Sequence, residues 1–237
     1  MSTDFAGKAV LVTGGTKGIG LECGLAYARR GAVCTLTNRW GSADEDAIRE
    51  QFRAAGAPEP HIVEADTAEL VTALRQRHDA LEVFVSGVSF AQIVKGLSDY
   101  SKRSLLRSIE YTVWPMFEHL ARLREAFGRY PRYVIGLSSI GPDSFVANYD
   151  FVAGSKALLE TLIRYLNYRL HGEDVRVNVV RAALVRNDSL RATVGEDCIP
   201  FIERFDPRMF VSPQAVAETV FALTSGLMDG VSGQVVT

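Results

Sequence analysis

A short continuous apolar run, Lys8 to Thr13, passes directly into Gly14-Gly15-Thr16-Lys17-Gly18-Ile19-Gly20, and a helical pattern follows through Ala28-Arg29-Arg30 until Gly31 closes it. The run is short and unbroken, which predicts a strand buried on both faces. Strand, glycine turn and helix N-terminus in that order make an anion-binding arrangement. The glycines let the backbone come close to a pyrophosphate, and the unpaired N–H groups and positive dipole end of the helix favour it. The glycines are spaced G-x-x-x-G-x-G (Gly14, Gly18, Gly20) rather than G-x-G-x-x-G.

A second strand is predicted over Ala32–Thr37, ending in Asn38-Arg39. Selection of NAD usually places Asp or Glu near this strand end to hold the ribose 2′-hydroxyl, and none occurs before Asp44. Arg39 and Lys17 stand there instead, two cations suited to a 2′-phosphate. The expected cofactor is therefore NADPH.

The alternation continues down the chain. A helix is expected over 44–54, then a strand His61–Ala65 followed by Asp66-Thr67 and a helix to Arg77. The strand Leu81–Val85 runs into Ser86-Gly87-Val88-Ser89. Residues 98–127 read as helical with a break near Trp114-Pro115. Tyr133–Leu137 is the next strand, Asp150–Leu170 the next helix and Val175–Val180 the sixth strand. Residues 183–210 show no period and read as a loop or lid. Ser212-Pro213 opens a last helix, capped by the serine with proline at its first position, and Gly233–Thr237 is a short final strand. Strands and helices alternating every 25 to 30 residues imply an α/β fold with a single doubly wound parallel β-sheet (Rossmann fold) flanked by helices on both faces. Residues 1–237 read as a single cofactor-binding and catalytic domain.

In such a sheet the ligand lies at the carboxyl ends of the strands. Gly14, Thr16, Lys17, Gly18, Ile19, Gly20, Arg39, Asp66, Thr67, Ser86 and Val185 all fall there. So does a group of hydrogen-bond donors delivered by the fifth strand and the helix after it: Ser139, Tyr149 and Lys156. Together they can polarise a carbonyl oxygen. Composition narrows the partners. A net charge of −2 and a pI near 6.1 give no electrostatic case for nucleic acid or an acidic membrane. No run approaches the roughly 20 apolar residues of a membrane span, and Met1-Ser2-Thr3-Asp4 does not open a signal peptide. Cys23, Cys34 and Cys198 lie far apart, and His61, His78, His119 and His171 lack metal-ligand spacing. The expectation is a metal-free cytoplasmic enzyme.

These residues resemble the short-chain dehydrogenase/reductase superfamily over nearly the whole chain, Gly7 to Val236. Thr13 to Gly20 is similar to its Thr-Gly-x-x-x-Gly-x-Gly motif, Asp66 to its adenine-side aspartate, Ser139 to its serine, and Lys156 within Gly154-Ser155-Lys156-Ala157 to its lysine. The superfamily's tyrosine stands four residues before the lysine, where this chain has Val152. Here the tyrosine is Tyr149, seven before Lys156. The Tyr-x6-Lys spacing and the stretch from Ser138 to Leu166 resemble the enoyl-acyl-carrier-protein reductases of type III, a branch that prefers NADPH. Seven residues is about 10.5 Å of helical rise, against about 6 Å for four. Lys156 then suits holding the nicotinamide ribose better than acidifying the phenol. A less acidified tyrosine suits stabilising an enolate oxygen better than removing an alcohol proton.

Other positions depart from the superfamily. Ser86-Gly87-Val88-Ser89 replaces Asn-Asn-Ala-Gly, Glu110 is expected at the position of the active-site asparagine, and Ala182-Ala183 after Arg181 replaces Pro-Gly. The resemblance implies NADPH-dependent reduction of the C=C bond of an enoyl thioester carried on acyl-carrier protein or coenzyme A. The alternatives are a ketoreductase using Ser139 and Tyr149, and a non-redox relative that binds the cofactor. It further implies a homodimer or homotetramer, for which the stripe Leu158–Leu166 and the helix over 105–123 supply surplus apolar surface.

Overall fold

The computed structural model describes residues 4–38, 43–64, 67–90, 92–196 and 198–237. In chain order the elements are β1 (Ala9–Thr13), α1 (Gly18–Ala28), β2 (Val33–Asn38), α2 (Glu45–Ala54), β3 (His61–Glu64), α3 (Thr67–Arg77) and β4 (Val83–Ser86). Then come α4 (Lys102–Thr112), α5 (Trp114–Phe127), β5 (Tyr133–Ser139), α6 (Asp150–Arg169) and β6 (Arg176–Ala182). The chain finishes with α7 (Asp188–Val194), α8 (Cys198–Phe205), α9 (Pro213–Thr224) and β7 (Val235–Val236).

The seven strands form one parallel sheet in the order β3-β2-β1-β4-β5-β6-β7. Alternate strand residues go to opposite faces. Val10, Val12, Val83, Val85, Ile135 and Leu137 face one core, with Tyr27 of α1, Phe52 of α2 and Val220 and Phe221 of α9. Ala9, Leu11, Phe84 and Val134 face the other, with Leu74 of α3, Met116 and Leu123 of α5 and Leu159 and Ile163 of α6. Both faces are covered, so the strands read as unbroken apolar runs. The expected doubly wound architecture is the observed one.

Local signals fix the helix ends. Pro115 sits in the first turn of α5, so the helical stretch breaks at Val113, and Gly128 closes α5 in the left-handed conformation at φ 69°. Ser212 caps α9 by accepting from the Ala215 N–H. The region 183–210, read from sequence as a structureless loop, instead contains α7 and α8. Asn187 caps α7 through the Leu190 N–H. Leu184, Leu190, Val194 and Ile199 gather into a small core of their own, with Ile140, Val146 and Phe210 against it. Two-turn helices packed on one another rather than on the sheet carry too few apolar positions to show a period.

The apolar stripe of α6 is partly used internally. Leu159 and Ile163 are fully buried, and Leu158, Leu162 and Leu166 pack against the same core. Tyr165 and Tyr168 of α6, Leu106 of α4 and Trp114 of α5 remain exposed. Among the described residues no helix is long and apolar enough to cross a membrane.

Candidate active site

Between β1 and β4 the strand order reverses, the switch point at which open α/β sheets bind ligands. Thr13 at the end of β1 lies opposite Thr37 of β2 on one side and Ser86 of β4 on the other. The glycine loop leaves from there. Gly14 has φ +67°, and a Cβ on it would stand 3.1 Å from the Gly87 carbonyl group, while one on Gly20 would stand 2.2 Å from the Gly14 oxygen. The Gly15 N–H donates to the Thr37 carbonyl at 3.0 Å. The loop is thus folded on itself so tightly that side chains are excluded at both glycines. It delivers α1, whose cap residue Lys17 makes no side-chain cap bond and whose first turn holds no acid. Thr16, Gly18 and Ile19 complete this turn, and Lys17 is exposed beside it. A cradle without Cβ atoms ending in uncapped N–H groups fits a dinucleotide pyrophosphate.

Ser86 is buried at the end of β4 and Val185 is buried just past β6, both bordering the crevice. Arg39 and Asp66 lie outside the described residues. Thr67 opens α3, and its side chain is likewise outside them.

β5 runs three residues beyond its pairing with β4, and this overhang carries the serines. Ser138 is buried and donates to Glu160 Oε1 at 2.6 Å. Ser139 faces the other way, as strand alternation requires. Its Oγ accepts from the Gly141 N–H at 3.3 Å, and its hydroxyl stands near enough to that of Tyr149 to favour the ionised phenol. Tyr149 is the cap residue of α6 (φ −105°, ψ 7°), so its ring folds back from the helix start towards β5. Burial pushes its phenol above the ordinary range, and the nearby Ser139 hydroxyl opposes that.

Lys156 is buried two turns along α6 and donates from Nζ to the Leu137 carbonyl at 2.8 Å. Desolvation lowers its amine from 10.5 to about 8, against the opposing pull of Glu160 one turn further on. No hydrogen bond joins Lys156 to Tyr149 among the described residues. The predicted trio is therefore brought together in two parts: a Ser139–Tyr149 hydroxyl pair and a separately seated Lys156. Val152, at the superfamily's tyrosine position, is buried.

One expectation is corrected. Glu110 is exposed on the outer side of α4, beside Lys102, Arg103, Leu106 and Arg107. It is not among the buried residues of that helix. The inward residues are Ser108 and Thr112, and the Thr112 hydroxyl accepts from the Phe90 N–H at 3.0 Å.

Three further residues shape the site without having been singled out by sequence. Gly141 lies against the Tyr149 ring. Asn148 takes φ +61°, donates to the Thr193 carbonyl of α7 at 2.8 Å and accepts from the Val94 N–H at 3.2 Å. It thereby joins the loop after β4, α7 and the tyrosine beside it. Asparagine tolerates the left-handed region better than other side chains, which was the available signal. Arg181 of β6 holds Glu160 through Nε at 2.8 Å and Nη2 at 2.6 Å.

The family model described as enoyl-(acyl carrier protein) reductase matches residues 14–237. The 1-cyclohexenylcarbonyl-CoA reductase of Streptomyces collinus is 28% identical over 237 aligned positions, covering 94% of this chain and 82% of that protein. The enoyl-[acyl-carrier-protein] reductase [NADH] of a Synechocystis strain is 23% identical, covering 98% and 95% respectively. In fold the chain is similar to a 7α-hydroxysteroid dehydrogenase solved with NADH and 7-oxo glycochenodeoxycholic acid, with TM-score 0.86 and 20% identity, over 99% of this chain and 94% of that one. With the match spanning almost the whole chain, from the glycine loop to the last strand, the protein belongs to the enoyl-(acyl carrier protein) reductase family of the short-chain dehydrogenase/reductases.

Proposed function

We propose that the chain is an NADPH-dependent reductase of the C=C bond of enoyl thioesters carried on acyl-carrier protein or coenzyme A. The observation that carries this reading is the placing of Tyr149: it caps α6, its ring packs against Gly141, burial raises its phenol above the ordinary range, and Lys156 bonds to the Leu137 carbonyl instead of to it. Such a group keeps its proton and donates a hydrogen bond, which is what a developing enolate oxygen needs. Oxidation of an alcohol would need the opposite, a phenol ready to take a proton.

Bound nicotinamide would supply the hydride, two electrons with one hydrogen, to the substrate β-carbon. As that bond forms, the C=C electrons move to the thioester oxygen. The hydroxyls of Tyr149 and Ser139 would stabilise this oxyanion, and a proton taken from water would then add at the α-carbon to leave the saturated thioester. Lys156 holds the cofactor's ribose from the floor of the site, and Gly14 to Gly20 hold the pyrophosphate. Lys17 and Arg39 favour the 2′-phosphate of NADPH over NADH. The exposed Leu106, Trp114, Tyr165 and Tyr168 support assembly into a homodimer or homotetramer.

The experiment is NADPH oxidation followed at 340 nm with crotonyl and acetoacetyl thioesters, with Tyr149→Phe alongside. Turnover of crotonyl thioester that falls about 10²-fold or more in the variant is the expected outcome. Preferential turnover of the acetoacetyl compound would replace this reading by a ketoreductase. NADPH binding with no turnover of either would replace it by a non-redox role.

A further inference from the structure

Glu160 is a fully buried carboxylate with no part in the chemistry described above, and it stands one helical turn from Lys156. Two side chains meet it. The Ser138 hydroxyl donates to Oε1 at 2.6 Å, and Arg181 grips both oxygens with a bidentate fork, Nε to Oε1 at 2.8 Å and Nη2 to Oε2 at 2.6 Å. The remaining arm of Arg181, Nη1, pairs with Asp143, which lies in the loop between β5 and α6 that leads to Tyr149. One guanidinium therefore ties β6 to the helix that carries Lys156 and to the loop that carries Tyr149.

We propose that Arg181 is a positioning residue, setting the charge beneath Lys156 by neutralising Glu160 and fixing the Tyr149 loop through Asp143. This rests on the reading of Lys156 as the group that holds the cofactor. Planar two-point pairing is what a guanidinium does and an ammonium does not. The charged group that acts on the Lys156 amine is Glu160 from α6, and the charged groups facing Glu160 in turn are Arg181 from β6 and, through it, Asp143 from the β5–α6 loop. With Arg181 in place, the Glu160 charge is spent on the fork, and burial dominates at Lys156. Without Arg181, the carboxylate turns to the amine and holds its proton more tightly.

The test follows the ionisation of Lys156 in the chain without cofactor, by NMR of 13Cε-labelled lysine, the signal being identified by its loss in Lys156→Met. Arg181→Met is expected to raise the midpoint by about 1 pH unit, the lower end of what a close opposite charge does. Glu160→Gln is expected to lower it below the wild-type value. The double variant should titrate like Glu160→Gln, and Arg181→Lys, which keeps the charge but not the two-point fork, should fall between wild type and Arg181→Met. The pH at which NADPH affinity weakens, read by cofactor fluorescence, should move in step. Should Arg181→Met fail to fold, Glu160→Gln and the double variant, which leave no unpaired buried carboxylate, carry the test. A wild-type midpoint in Glu160→Gln, or a double variant that differs from it, overturns the proposal. Because the titration needs neither substrate nor turnover, failure of the enoyl reductase reading would leave this result standing on its own.

Discussion

Gly141 packs against the ring of Tyr149. A Cβ at position 141 would stand 2.9 Å from Cδ1 and 3.0 Å from Cε1 of that ring, and 3.0 Å from the Ala153 Cβ. The contact is with the body of the ring, not the tip of a flexible chain, so an added methyl group cannot be absorbed locally. The absence of a side chain at 141 is what lets the tyrosine fold back over β5.

Gly141→Ala should therefore displace the phenol while leaving the sheet intact. A shift of about 1 Å at a reacting group costs on the order of 10²-fold in rate. We expect kcat to fall by about that factor with the thermal midpoint moved by only a few degrees. Turnover and a melting curve on the same preparation check it, and wild-type turnover would refute the packing argument.

The glycine loop makes a second prediction. A methyl at position 20 would collide with the Gly14 oxygen at 2.2 Å, a backbone atom that has no room to yield. Gly20→Ala should weaken NADPH binding at least about tenfold, equivalent to about 1.4 kcal/mol, measured by cofactor fluorescence. Retention of wild-type affinity would show that the loop is not the pyrophosphate cradle.

Lys17 tests cofactor choice. Replacing it by alanine removes one charge-assisted contact to a 2′-phosphate, and NADPH affinity should fall about tenfold while NADH affinity stays the same. Equal losses for both cofactors would move the role of Lys17 from the 2′-phosphate to the pyrophosphate they share.

Lys156 links stability to pH, with a sign opposite to the usual lysine partnership. Its amine is lowered from 10.5 to about 8 by burial. Between those values the unfolded chain binds the extra proton and the folded chain does not. Stability contributed by this group therefore rises with pH across the window from about 8 to 10.5, and is constant below it. The full shift corresponds to at most about 3 kcal/mol. Urea unfolding of the wild-type chain and Lys156→Met at pH 8 and pH 10 should show the wild type gaining relative to the variant. Turnover should decline around pH 8, where the folded chain loses the positive charge of Lys156.

Asn148 joins the lid to the tyrosine. Asn148→Gly accepts the φ of +61° without strain but loses the bond to the Thr193 carbonyl, worth about 1 kcal/mol. Amide exchange of Leu190 to Val194 should quicken roughly fivefold, the kinetic equivalent of that energy, with global stability little changed. Unaltered exchange in α7 would show that the bond does not restrain the lid.

Much of this architecture was legible because each strand is a short apolar run and each helix has its own punctuation, Gly31, Pro115 and Ser212 among them. The glycine loop was legible for the same reason: its residues are neighbours in sequence. The helices α7 and α8 were not, because Leu190, Val194 and Ile199 pack on Leu184 and Phe210 rather than on the sheet. Position-by-position likeness also misplaced Glu110, since the break at Val113 sets which face of α4 turns inward, and Ser108 and Thr112 take that face. Arg181 and Glu160 are 21 residues apart on different elements, so no local pattern announces their pairing. Gly141 is needed because of a ring eight positions away, a demand that only the folded loop reveals.

The strand order has a consequence for assembly of the molecule. β1, β2 and β3 build outward in one direction and β4 to β7 in the other, so the two halves of the chain meet along a single seam between β1 and β4. Until β4 docks there, the crevice does not exist. A dinucleotide lying across it would act as a rivet between the halves, and at 100 times its dissociation constant would add about 2.7 kcal/mol against their separation. The ligand site is then also the joint at which the protein is completed.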